Sequence, residues 1–361
     1  MLSHALMDPK GSLPRLLDYL QAPFALASRV YVSWVFLKSG YLKLSDWEQT
    51  VALFEYEYRV PLLTPHLAAI AGRMGFDLDL PALDRMGRET PVLIDLKPSG
   101  QYYMEDFHKA GGMPALLREL RPLLHLDALT VTGRRLGEEL DRAPSAFAQQ
   151  VIRPFEQPIY PQGGIAVLTS NLAPGGAIIK QSAASPELME HEGRAVVFED
   201  AEDLAARIDD EALDVNADDI LVLKNIGPAG APGMPEAGYL PIPKKLARAG
   251  VKDMVRISDG RMSGTAAGTI VLHVTPESAV GGPLAYVRTG DRIRLSVSRR
   301  QLQWLVSDEE IARRREQAPI TAPTAARGYR KLFLQSITQA DQGVDFDFLR
   351  SEQAPTKIPR C

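Results

Sequence analysis

From about residue 160 onward the chain sets short apolar runs between turn-forming residues at close intervals. The runs fall at 165–168, 177–180, 195–198, 220–223, 254–257, 269–274, 284–287 and 292–297. Most are four to six residues of Ala, Val, Ile and Leu, too short for helices and rich in β-branched side chains, so each predicts a strand. Helical spacing predicts helices over 200–208, 241–249 and 307–316. The last opens with Ser307 followed three residues later by Glu310, a capping-box signature. Strands outnumber helices and do not alternate with them regularly. The pattern predicts an α/β domain built on a mixed sheet or small barrel, not a doubly wound parallel sheet.

Upstream the pattern changes. Residues 65–74 read as a helix, Asp79 as the cap of a second, 92–95 as a buried strand and 113–121 as a helix, with a turn at Pro98, Ser99 and Gly100 between. Residues 142–162 hold several prolines and few periodic apolar positions, which marks a linker. Residues 1–60 are aromatic-rich with patchy helical spacing. The expected organisation is an unassigned segment (1–64), an α/β region (65–141), a linker (142–162), a C-terminal domain (163–352) and a tail (353–361).

Composition narrows the function classes. The 41 basic and 45 acidic side chains leave a net charge of −4, without the basic excess of a nucleic-acid surface. The apolar stretch 24–37 is interrupted by Arg29 and falls short of the roughly 20 residues a bilayer requires. It also lacks the layout of a signal peptide, so no membrane partner is expected. A single cysteine, Cys361, excludes an intrachain disulfide framework and fits a reducing cytoplasm.

Two turns are candidates for chemistry. Between Gly227 and Glu236 the chain is almost wholly Gly, Ala and Pro, so its backbone can approach a ligand closely. Glu236 ends that run with a hard oxygen donor of the kind Mg²⁺ prefers. Composition alone equally allows a surface turn closed by a capping carboxylate. Ser263 lies 27 positions later, after the 254–257 run, with Gly264 behind it and Thr265 beyond. A serine takes a proton from carbon only when its hydroxyl is ionised, which demands a metal or a dense positive field; an ordinary Ser/Thr turn is the plainer alternative. No G-x-S-x-G elbow surrounds Ser263, and the 227–233 glycines lack dinucleotide-fingerprint spacing. His108 and His273 stand alone, without metal-ligand spacing, and read as structural.

The segments GPAGAPGMPE (227–236), SDGRMSGT (258–265), GGIAVLTSNLAPGGAIIK (163–180), KPSGQYYMEDFH (97–108) and RGYRKLFLQSITQADQGVDFDFL (327–349) resemble the dihydroxy-acid and phosphogluconate dehydratase family, in its sugar-acid branch. Ala231 and Gly175 depart from that family's usual Gly and Asp. The resemblance spans about 65–352. It implies a barrel-like β/β/α swivel domain after the remnant of an N-terminal α/β domain. It also implies a hydro-lyase that converts 2,3-dihydroxy sugar acids to 2-keto-3-deoxy acids with Mg²⁺ and an iron–sulfur cluster. Glu236 would be a Mg²⁺ ligand, Ser263 the base and Thr265 its support. The family's cluster cysteines and other Mg²⁺ ligands have no match here. The expected partners are therefore a sugar acid and either further copies of this chain or a chain carrying the missing portion. A noncatalytic remnant and an acid-binding or regulatory subunit are the alternatives.

Overall fold

The computed structural model describes residues 73, 76–77, 79–97, 99–142, 148–234, 240–261, 267–350 and 356–357. All belong to one compact unit, Pro61–Cys361. The aromatic segment 1–64, and all but Arg73 of the helix expected over 65–74, lie outside the described residues.

A short pair, β1 (Phe76–Asp77) with β10 (Thr356–Lys357), runs parallel. The centre of the fold is a closed barrel of β2 (Ala166–Ser170), β3 (Ala173–Ile179), β4 (Glu190–Phe198), β5 (Ile220–Leu223), β6 (Arg256–Ser258), β7 (Ile270–Thr275), β8 (Arg292–Ser296) and β9 (Gln301–Trp304). Around it the order is β2-β3-β7-β6-β5-β4-β8-β9. β4, β5, β6 and β7 pair parallel, while β2/β3, β3/β7, β4/β8 and β8/β9 pair antiparallel. The mixed, barrel-like architecture expected from the apolar runs is what forms.

The four-residue run of β5 is apolar throughout because both its faces are covered. Ile220 and Val222 point into the barrel interior with Val197, Ile257, Leu295 and Trp304. Leu221 and Leu223 face an outer layer with Phe198, Leu204, Leu240 and Met254. The interior is a packed core, so any site must sit at the barrel's ends or outside it.

Several elements differ from the pattern's prediction, three of them as strands. The 284–287 run is a 3₁₀ turn, Pro283–Tyr286, not a strand. A Cβ on Gly282 would sit 1.8 Å from the Pro276 carbonyl oxygen, so the backbone closes on itself there and Pro283 starts the turn. The 92–95 run makes only isolated bridges, Val92 to Tyr160 and Ile94 to Ile152. β9 alternates strictly, with Leu302 and Trp304 buried between glutamines, but its four residues form no continuous apolar run and the pattern passes over them.

Helix caps follow the local chemistry. Asp79 caps α1 (Leu80–Glu89) by accepting from the Ala82 N–H at 2.7 Å. Phe107 of α2 (Met104–Lys109), followed by α3 (Gly112–Glu119), packs on Val151 and Ile152. After α4 (Leu136–Arg142), α5 (Ala201–Arg207) is capped by Asp200, which accepts from the N–H groups of Glu202 and Asp203. α6 (Lys244–Arg248) precedes α7 (Asp308–Gln317), where Ser307 accepts from the Glu310 N–H as the sequence implied. α8 (Gly328–Ser336) follows. Among the described residues no helix is long and apolar enough to cross a membrane.

Candidate active site

Parallel pairing puts the carboxyl ends of β5 and β6 at one edge of the barrel, with Leu223 beside Ser258. The loop after β5 carries the Gly/Pro-rich run towards Glu236, and the loop after β6 leads towards Ser263. Glu236, Ser263 and Thr265 themselves lie outside the described residues, as does Cys361. What the structure fixes is the framework on both sides of them.

Asp259, the first residue after β6, is fully buried. Its carboxylate accepts the N–H groups of Ile226 at 3.1 Å, Asn225 at 3.2 Å and Ser278 at 2.8 Å. Burial pushes this carboxyl above the usual aspartate range, against the pull of those backbone N–H groups. Glu277, just past β7, accepts from the N–H of Ala229 at 2.9 Å, from that of Gly230 at 2.9 Å and from Gln339 Nε2 at 2.7 Å. Burial raises it too, and the charge of Asp259 adds to the shift. The first loop is thus held by two carboxylates from the neighbouring strand ends. Gly227 lies tight against Glu277, where a Cβ would fall 2.6 Å from Oε2.

The two loops also meet each other. A Cβ on Gly260 would approach Ile226 Cδ1 to 2.4 Å, so the second loop packs flush on the first. Arg261 Nε donates to the Met234 carbonyl at 2.6 Å. Met234 stands two residues before Glu236, and Arg261 two before Ser263.

The far ends converge on a second arginine. Buried Arg256 donates from Nη1 to the Leu240 carbonyl at 3.0 Å and pairs through Nη2 with Asp253 at 2.7 Å. Gly268 has φ +119, and a Cβ there would lie 1.9 Å from Arg256 Nη2. Asp253 also receives the hydroxyls of Thr269 at 2.7 Å and Ser185 at 2.8 Å. Burial alone would raise the Asp253 carboxyl, but these hydrogen bonds and the Arg256 charge bring it below its ordinary value. Arg261 therefore binds the Met234 carbonyl and Arg256 the Leu240 carbonyl, and Gly268 packs on Arg256.

Asp259, Glu277, Arg256 and Arg261 were not singled out by sequence. Arg256 lies within the apolar run 254–257, where charge must find partners; Asp259 and Arg261 lie in the 258–265 motif and Glu277 three residues past the 269–274 run. His273 lies within β7 and His108 on the exposed face of α2. Among the described residues no group of three or more His, Cys, Asp or Glu side chains is arranged to hold a metal.

Comparison with known proteins agrees with this frame. Residues 150–344 match the model described as dihydroxy-acid/6-phosphogluconate dehydratase C-terminal, and residues 63–139 match the N-terminal one. The chain is 52% identical over 293 residues to L-arabonate dehydratase of Azospirillum brasilense, which covers 79% of this chain and 50% of that protein. It is 50% identical to L-arabinonate dehydratase of Rhizobium leguminosarum bv. trifolii (79% and 49%). It is likewise 50% identical to 6-deoxy-6-sulfo-D-gluconate dehydratase of Pseudomonas putida (81% and 51%). The chain spans about half the length of the curated relatives it matches. With more than half of its residues matched by the C-terminal model alone, the chain belongs to the dihydroxy-acid/6-phosphogluconate dehydratase family.

Proposed function

We propose that this chain supplies the proton-abstracting side of a hydro-lyase that dehydrates sugar acids in the cytoplasm. In this reading 65–141 and 163–352 are its two family domains. The observation that carries the reading is the contact between the described residues that precede the two candidate motifs, Arg261 donating to the Met234 carbonyl at one barrel edge. Ser263, its hydroxyl ionised, then takes the C2 proton of a 2,3-dihydroxy acid onto Oγ, and Thr265 supports it. Departure of the 3-hydroxyl with that proton, as water, leaves an enol and restores the ionised Ser263; the enol tautomerises to a 2-keto-3-deoxy acid.

Glu236 is the one candidate Mg²⁺ ligand on this chain, and Mg²⁺ favours six oxygen donors in octahedral array. Bound there, the ion would polarise the substrate carboxylate and 2-hydroxyl and acidify C2–H. The remaining donors must come from substrate, water or a partner chain. The single cysteine does not supply the several thiolates that hold an iron–sulfur cluster.

That mismatch supports a second reading: an acid-binding subunit or a noncatalytic remnant. One experiment separates the two. The purified chain is tested alone, and then anaerobically with a polypeptide matching the uncovered half of the relatives, plus Mg²⁺, iron and sulfide. Keto-acid formation from pentonates with the partner present supports the dehydratase. Pentonate binding without keto acid in either mixture supports the subunit reading. Neither binding nor turnover supports the remnant.

A further inference from the structure

We infer that Arg261 is a positioning residue that couples the described part of the loop after β5, at Met234, to the loop after β6. Its consequence for catalysis rests on the dehydratase reading; its physical content does not. The guanidinium is planar, permanently charged and pre-organised for hydrogen bonding. Here it leaves one loop and donates to the backbone of the other, at the Met234 carbonyl, 2.6 Å away. The acceptor is a main-chain oxygen, so the contact sets the path of the first loop whatever its side chains do.

Three further observations make this contact decisive. The loop before Met234 is already fixed, through Glu277 on Ala229 and Gly230 and through the Ala231 N–H on the Gly227 carbonyl at 2.9 Å. Met234 itself has φ +43, a left-handed conformation that a side-chain-bearing residue adopts only when its surroundings impose it. The far ends of both segments are fastened separately at Arg256, through the Leu240 carbonyl and the tight approach of Gly268. With Arg256 at the far ends and Asp259 and Gly260 joining the loops at Asn225 and Ile226, Arg261 adds the contact at Met234, nearest the candidate motifs. A misplacement of about 1 Å between reacting groups can cost about a hundredfold in rate.

The test reads one loop while changing the other. Amide hydrogen exchange is followed in the full chain at Ala231 and Met234, whose N–H groups are bonded to the Gly227 and Ala231 carbonyls. Arg261→Met keeps length and removes the donor. It should speed exchange at both amides by about tenfold, as loss of a charge-assisted hydrogen bond implies, and leave β5 protected. Arg261→Lys restores a cationic donor and should recover most of the protection. Exchange confined to residues after 261, or no change, overturns the inference.

Should Arg261→Met fail to fold, wild-type exchange in low denaturant decides instead. Coupled segments open in one event, so Met234 and Gly268 should share one denaturant dependence; separate dependences overturn the inference. In a mixture that turns over substrate, Arg261→Met should lower kcat with KM little changed, and Arg261→Lys should rescue it. Loop coupling without any turnover would leave the positioning role standing and remove the dehydratase reading.

Discussion

Asp259 and Glu277 hold the two halves of one loop from adjacent strand ends. Asp259 takes the N–H groups of Asn225 and Ile226, and Glu277 those of Ala229 and Gly230. The Ser278 N–H, next in chain to Glu277, returns to Asp259. Backbone donors inside a folded protein must be paired, and a Gly/Pro-rich run has few side chains of its own to pair them. The carboxylates make the loop's shape a property of the barrel.

Removing the first of these anchors should be costly. Asp259→Ala leaves the buried N–H groups of Ile226 and Ser278 and the half-buried one of Asn225 without this acceptor, and should destabilise the chain by about 3 kcal/mol. Asp259→Asn should cost about 2 kcal/mol, because its NH₂ group would confront backbone donors. Urea unfolding followed by circular dichroism measures both; losses below about 0.5 kcal/mol would show that the loop does not depend on this carboxylate.

Gly268 tests the Arg256 node. Gly268→Ala meets a left-handed φ and an Arg256 nitrogen 1.9 Å away, so it should cost about 3 kcal/mol. Gly250 is the control, with φ +94 and open space around it. There the same substitution pays only for backbone strain, about 1 kcal/mol. Equal losses at the two positions would mean that Arg256 yields freely.

Asp253 should make the node acid-sensitive. Its folded pKa lies below the unfolded value of about 3.9. Its contribution is therefore present above that unfolded value and lost as pH falls through the folded one. Asp259 and Glu277 have raised pKa values and act in the opposite sense: their contribution is full below the unfolded values and declines as pH rises through the folded ones. Wild-type stability should fall below about pH 4, and Asp253→Asn should flatten that fall. An unchanged acid limb in Asp253→Asn would assign it to other carboxylates.

Ser263→Ala should abolish turnover in any mixture that shows dehydratase activity and change stability by no more than about 0.5 kcal/mol. A group that acts only along the reaction path affects kcat more than substrate affinity. Glu236→Gln should instead weaken Mg²⁺ dependence and substrate binding together. Near-normal kcat in Ser263→Ala would give the base to another residue.

The chain's own pattern was enough for the barrel's inner strands, for the caps at Asp79 and Ser307, and for the family, because these rest on local periodicity, capping chemistry and contiguous motifs. The polar half of β4 was invisible in that pattern. Glu192 earns its place only by pairing with Arg292 and Arg294 on β8, about a hundred residues away. The 284–287 run misled for a related reason: its apolar residues are buried, but the close packing of Gly282 on Pro276 bends them into a 3₁₀ turn. The motifs at Glu236 and Ser263 were readable as two turns. That their flanks are fastened together depended on the parallel register of β5 and β6 and on two arginines reaching distant carbonyls. Periodicity reports which face of an element is buried; it carries no information about which distant backbone atom a long charged side chain will find.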